Sequence, residues 1–393
     1  MVKGILRWLA RIGAALVLAI VVLWFAAKQD PHPPVTTDEV IPPGEPDAIM
    51  RMTRRATQVI AELAGPDHPL RRDVHAKPHG CVTAEFRVND RLDSTYRWGV
   101  LREPARTYKA WVRFSNGTLD DDTSGDARGM GIKLMGVPGA KIMTGTDAPE
   151  TQDFVMINYH TFFARDVEEY EQFFYHQAAG NPLGFFFHGW NPFKWHLHDF
   201  YNAAHMKYQR MATPLGAQYY SMSPFRLGPH NMKFSAKPCR PIDQQRPAHP
   251  GPNYLREALV KNLHDASACF DFLVQLQDPS KNMPIEDPSV EWYEADSPYQ
   301  PVARLTIPRQ EFDSDAQNRF CENLSFTPWH ALREHQPLGG ISRCRRAVYE
   351  EVSKRRHYRN GAPSAEPRGW CLDLSGAACT PENEVRPLAG TAG

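Results

Sequence analysis

Residues 341–361, ISRCRRAVYEEVSKRRHYRNG, carry the reading on which both fold and chemistry turn. The stretch predicts a helix: Arg343, Arg345 and Arg346 lead into Ala347-Val348, and Asn360-Gly361 is a stop signal. A spacing of four puts Arg345 and Tyr349 on one face of that helix. A cation beside a phenol favours the phenolate, whose ordinary pKa is about 10. A buried phenolate backed by a guanidinium suits the axial position of a ferric haem. The same pair also fits an amphipathic surface helix with a half-buried tyrosine, so the rest of the chain decides.

The chain has 393 residues, enough for one large core or two domains. Its 34 prolines point to many fixed turns and irregular loops. Formal net charge is +0, so nothing electrostatic recommends nucleic acid as a partner. Lys3, Arg7 and Arg11 precede a charge-free apolar run over 12–27 that Lys28 closes. That pattern predicts a membrane anchor or signal segment over 1–28, with a retained anchor favoured because Phe25-Ala26-Ala27 is a poor cleavage site. Basic residues ahead of the run place the main body on the periplasmic or extracytoplasmic side. Residues 29–46 then read as a Pro-rich spacer that holds the body off the membrane. The seven cysteines show no CxxC and no metal spacing. Cys371 and Cys379 flank a short loop and can be joined in an oxidising compartment, and the odd total leaves at least one cysteine without an intramolecular partner.

Helices are predicted over 47–64, 165–174 and 253–266. Apolar alternation with period two marks strands over 81–88, 108–114, 129–137 and 269–277. Residues 153–163, 217–222, 232–236 and 302–307 read as further extended pieces, and 321–326 as one more strand. Residues 183–211 are read as loops and short helices, and 362–393 as a wrapping C-terminal tail. Seven or eight antiparallel strands between long Pro-rich loops favour a barrel-like β centre with accessory helices. No GxGxxG and no strand–helix–strand regularity supports a Rossmann unit.

His75, in RRDVHAK just before the first strand, has the ordinary pKa of a general base near neutrality. Ser115, in VRFSNG, is placed to fix its tautomer if the two segments pair. Asn158 offers an uncharged donor on the same sheet. Arg72, Arg113 and Arg356 supply planar forks suited to two carboxylates. The 16 histidines contain no HExxH, which excludes the zinc-protease pattern, and GTLDDDTSGD over 117–126 matches a calcium loop in composition only.

In order, these pieces carry a resemblance: RRDVHAK, VRFSNG, DARGMGIKL, DFVMINYHTFFARD, SMSPFRLGPHNMKFSAKPC, and RRAVY with Arg356 seven residues beyond the tyrosine. Weaker pieces are QLQDP, MPIEDPSVEW and ENLSFTPWHALREHQPLGG. Over about 71–361 the chain resembles the haem catalases, in a short and divergent form without the extra C-terminal domain. The resemblance implies an α+β fold, with a catalase-like antiparallel β-barrel core, long wrapping loops and accessory helices, over 47–361. It implies haem b as cofactor and Tyr349 as the iron ligand, held as phenolate by Arg345. It makes His75 the distal acid–base residue with Ser115 in support, and gives Arg72, Arg113 and Arg356 to the propionates. Ungapped counting from Phe162-Phe163 puts the distal aromatic that stacks on the porphyrin at Tyr170. In that register the distal asparagine falls on Ile157, one residue before Asn158, so a bulge is expected to turn Asn158 to the haem face. His79-Gly80-Cys81 replaces the usual small residues and is expected near the pocket entrance.

The implied activity is peroxidase-type, using hydrogen peroxide or an organic hydroperoxide with an unknown electron donor. True catalase activity ranks second and lipid-hydroperoxide conversion of the allene oxide synthase kind third. A membrane-anchored haem-binding protein without turnover is the non-enzyme alternative. Large catalases are tetramers, which makes a homo-oligomer one expectation, although an arm tied to a membrane span opposes their threaded arrangement.

Overall fold

The structure, a computed structural model, describes residues 2–65, 68–72, 74–143, 150–243, 245–374 and 379–388. Residues 375–378 and 389–393 of the expected tail and Pro66 of the expected Gly65-Pro66 stop lie outside the described residues. Among the described residues the alternating segments form β1 (Pro78–Val88), β2 (Thr107–Asn116), β3 (Arg128–Met135), β4 (Thr151–Ile157), β5 (Tyr219–Tyr220), β6 (Phe225–Leu227), β7 (His230–Pro238), β8 (Ala268–Leu276) and β9 (Gln300–Ile307). The helices are α1 (Val2–Lys28), α2 (Glu45–Ala64), α3 (Val167–Ala178), α4 (Leu183–Phe186), α5 (Leu197–Lys207), α6 (Tyr254–Asp265), α7 (Asp315–Asn323) and α8 (Gly340–Asn360).

Neighbouring strands pair antiparallel in the order β5-β4-β3-β2-β1-β9-β8-β7, and β7 returns to β5, which closes an eight-strand barrel. Strand β6 is a short addition beside β7. Alternation sends Phe86, Phe114, Ile132, Phe154, Phe234 and Phe272 inward, where all are fully buried. Phe154 is the hub, with ring centroids 5.0 Å from Phe234 and 4.7 Å from Phe272. Side chains fill the barrel, so a ligand site must lie on its outside. The opposite faces of β2, β3 and β4 present Arg113, Ser115, Gly129, Gly131 and Val155 outward.

Helix α8 runs across that outer face. Its stop signal works as expected: Gly361 caps the C-terminus in the left-handed region at φ 61°. Ala48, Met52, Ala56 and Ile60 form one stripe of α2, packed in one apolar cluster with Ile341, Cys344, Val348 and Val352 of α8. Arg343 pins the start of α8 through Glu45 at 2.6 Å, Glu286 at 2.8 Å and Glu39 at 2.5 Å.

Three expectations change. Residues 321–326 are not a strand: residues 321–323 form the last turn of α7, whose N-terminus is capped by Ser314 Oγ accepting the Gln317 N–H at 3.2 Å, which favours the helix over strand propensity. The Pro-rich segment, expected as a spacer that holds the body off the membrane, lies along the body. Its carbonyls at Pro31, Thr36 and Thr37 accept from Asn282, Gln277 and Asn231, and its Asp30 accepts from Tyr293 at 2.6 Å. His79 is not at an entrance but fully buried, 2.6 Å from Asn116 Oδ1.

Helix α1 contains Arg11–Lys28, an apolar segment long enough to cross a membrane, with the composition of a signal sequence or an anchor. Cysteines pair as Cys81–Cys321, Cys239–Cys269 and the expected Cys371–Cys379, leaving Cys344 free and buried against α2.

Candidate functional site

Between the outer face of β2–β4 and α8 lies a cavity of 1310 Å³. Ligand pockets commonly measure about 300–1,000 Å³, so its volume suffices for a large cofactor. Arg72, His75, Arg113, Ser115, Tyr349 and Arg356 all line it. Six expected site residues, spread over more than 280 positions, thus share one chamber.

His75 sits in the loop before β1 at φ 58°, a left-handed conformation that costs a non-glycine residue about 1 kcal/mol or more. Three contacts hold it there. Its N–H donates to Gly117 O at 2.6 Å, its carbonyl accepts from Arg113 Nη2 at 2.7 Å, and its Nδ1 lies 3.1 Å from Ser115 Oγ. Gly129 makes room for this arrangement: a Cβ there would lie 2.5 Å from His75 Nδ1. Burial, reinforced by the Arg113 charge, lowers the His75 pKa to about 4, so the imidazole is neutral at ordinary pH and able to take a proton.

On α8, Arg345 Nε lies 3.4 Å from the Tyr349 hydroxyl, with its guanidinium carbon 5.3 Å from the ring centroid. The i,i+4 pair forms as the sequence requires. Arg345 Nη1 is buried without a partner, which leaves the guanidinium able to bind an oxygen anion more strongly than a neutral phenol.

The arginines form the third side. Arg72 Nη1 donates to Glu322 Oε2 at 2.7 Å, while Arg356 Nη1 lies 3.6 Å from Glu322 Oε1. Arg113 is buried and its Nε has no partner. Burial and the adjacent Arg72 push the Arg113 pKa well down, and burial takes Arg356 to about 10, again with Arg72 beside it. Three cations around one carboxylate are an unbalanced set. Their chemistry fits a ligand with two carboxylates, as the propionates of haem would supply.

Three expected residues stand outside the lining. Asn158 Oδ1 accepts the Arg128 N–H at 2.7 Å, and β3 pairs with β4 in unbroken register to Gly129–Ile157, so the expected bulge does not occur within that pairing. Ile157, not Asn158, shares the strand face of Val155, which does line the cavity. Tyr170 packs edge-on against Phe162 and Phe174, each centroid 4.9 Å away. Arg345 acts on the cavity through Tyr349.

Sequence reasoning missed other walls. Phe326 lies against Gly131, where an added Cβ would come within 2.9 Å of its ring. His330 and Glu366 also line the cavity and meet Lys133 and Asp153 behind it. Lys133 bonds Asp153, His330 and Glu366, so an ammonium already fills the place a metal would take among these ligand-type groups. Glu366 belongs to the tail, and only its contact with Lys133 of β3 reveals a role.

No family model and no curated protein matches the chain. The architecture itself is that of the catalases: a filled eight-strand antiparallel barrel with helices laid over its outer face. The chain is a divergent catalase-like protein in fold. It is similar to a fungal catalase at TM-score 0.57 and 17% identity, over 78% of this chain and 63% of that one. A bacterial catalase gives TM-score 0.55 and 17% identity, over 86% and 66% of the respective chains. Catalase A from Saccharomyces cerevisiae gives 0.56 and 14%, over 91% and 76%. The chain therefore spans just under two thirds of the length of the fungal and bacterial catalases.

Proposed function

We propose that this chain is a haem b-dependent oxidoreductase of peroxidase type, acting on hydrogen peroxide or organic hydroperoxides with a separate electron donor. The observation that carries the reading is the shared cavity, in which His75 with Ser115, Tyr349 with Arg345, and the arginine group all converge. Tyr349 would hold the haem iron through its phenolic oxygen, and Arg72, Arg113 and Arg356 would take the propionates. Bound there, haem would supply the redox centre at which the peroxide O–O bond is cleaved.

The chain's own groups account for the proton work. Neutral His75 takes the proton from the near oxygen of the peroxide and returns it to the departing oxygen, which leaves as water or alcohol. Ser115 fixes the ring through Nδ1, so Nε2 is the nitrogen that works. Val155 and Phe326 add apolar wall, which tolerates an organic hydroperoxide.

Peroxidase use ranks above dismutation because Asn158 stands outside the cavity lining, on the strand face opposite Val155. A pocket with an imidazole and no amide beside it orients a second hydrogen peroxide poorly. Stopped-flow mixing of the haem-loaded protein with hydrogen peroxide and with cumene hydroperoxide, each with and without a phenolic donor, tests the proposal. Donor-dependent turnover is expected; haem uptake without any reaction with either peroxide would leave only a haem-binding protein.

For location, we propose that α1 is retained as an anchor with the body outside the cytoplasm. The three cysteine pairs support an oxidising compartment. Protease accessibility of the body in intact cells and in lysed ones checks this.

A further inference from the structure

The C-terminal end of α7 does more than border the cavity. A helix leaves its last four carbonyls without intrahelical partners and carries partial negative charge there. Here consecutive carbonyls are all taken by cations or imidazole. Arg72 Nη2 donates to Cys321 O at 3.1 Å and to Leu324 O at 2.6 Å. Arg356 Nη1 donates to Glu322 O, and His357 Nε2 lies 2.9 Å from Asn323 O. Arg72 comes from the loop before β1 and Arg356 from α8, two elements that meet over this one helix end. The place of α7 therefore sets two of the three guanidiniums.

Helix α7 has nine residues, too few to persist without tertiary support. It is fastened to β1 by Gln317 Nε2 donating to Cys81 O at 2.8 Å and by the Cys81–Cys321 bond itself, which joins β1 to the last turn of α7 across 240 residues. Both cysteines are almost fully buried.

We propose that cofactor retention in this protein depends on the Cys81–Cys321 disulfide, which fixes the end of α7 as the cap holding Arg72 and Arg356. The inference rests on the haem reading above. The bond forms during folding: the Cys81 and Cys321 thiols lose two protons and two electrons to a disulfide-donating oxidant, which is reduced to its dithiol, and an Sγ–Sγ bond results. The full-length chain is thus expected to take up haem tightly only after oxidation.

The experiment measures ferric haem affinity, by Soret titration and by transfer to an apomyoglobin acceptor, in the full-length oxidised protein. Cys81→Ser/Cys321→Ser is expected to bind at least tenfold more weakly with unchanged far-UV circular dichroism, while Cys371→Ser/Cys379→Ser keeps wild-type affinity. Wild-type affinity in the folded Cys81/Cys321 variant overturns the proposal, as does equal loss in the Cys371/Cys379 variant. If the first variant does not fold, Cys81→Ala/Cys321→Val, which fills the buried space with apolar groups, decides in its place, and wild-type affinity in it overturns the proposal. A wild-type chain that takes up no haem overturns the haem reading and this inference with it.

Discussion

His75 Nδ1 lies 3.1 Å from Ser115 Oγ, a contact that ties a loop residue at φ 58° to the outward face of β2. The barrel fixes Ser115 through the β1–β2 and β2–β3 ladders, so its hydroxyl is a rigid reference for the ring. A proton-transfer group is useful only when held this way, because catalytic gain falls steeply with misplacement.

Burial holds the His75 pKa at about 4. The rate of reaction with peroxide should therefore be flat above about pH 5 and fall below it with an apparent pKa near 4. His75→Ala should slow the step by roughly 10²–10⁴-fold while haem stays bound, as read by stopped-flow absorbance. Wild-type rates in that variant would remove His75 from the proton path.

The same burial links stability to pH. His75 and His335 both have native pKa values of about 4, against about 6.5 when unfolded. His335 Nε2 accepts the Val100 N–H at 3.0 Å, which requires the neutral ring. The unfolded chain gains protons first, so stability is full above about pH 6.5 and is lost as pH falls toward 4, by up to roughly 3 kcal/mol per histidine. Urea midpoints at pH 7.5, 5.5 and 4.5 should fall in that order.

Gly129→Ala would place a Cβ 2.5 Å from His75 Nδ1 and 2.8 Å from Ser115 Oγ. Something must shift, and the imidazole is the freer group. The variant should keep haem affinity yet react with peroxide about 10²-fold more slowly. An unchanged rate would mean that the His75–Ser115 contact does not set the reacting geometry.

Phe154 is the meeting point of the barrel aromatics. Phe154→Ala should cost about 3–5 kcal/mol by urea denaturation, since its neighbours come from opposite sides of a closed ring and cannot collapse into the void. A loss below about 1 kcal/mol would contradict a tightly filled barrel.

Much of this architecture was legible in the residues, for reasons that also explain what was not. Strands such as β1 and β8 alternate because one face is buried in the barrel, and α8 announces itself through Arg345, Tyr349 and the Asn360-Gly361 stop. The short β5 and β6 carry too few residues for any period to show. Residues 321–326 look extended in sequence because the capping signal at Ser314 lies outside that window. Glu322 and Glu366 have no local pattern at all, since their partners Arg72 and Lys133 lie more than 230 residues away in sequence. Asn158 shows the limit of counting: one position decides whether an amide faces the cavity or the neighbouring strand.

The proposed haem site turns on Tyr349. Purified full-length protein should bind ferric haem at one per chain and show a tyrosinate-ligated absorption spectrum, and Tyr349→Phe should lose most of the haem or that spectrum. An unchanged haem content and spectrum in Tyr349→Phe, or no uptake by the wild-type protein, would contradict the central claim.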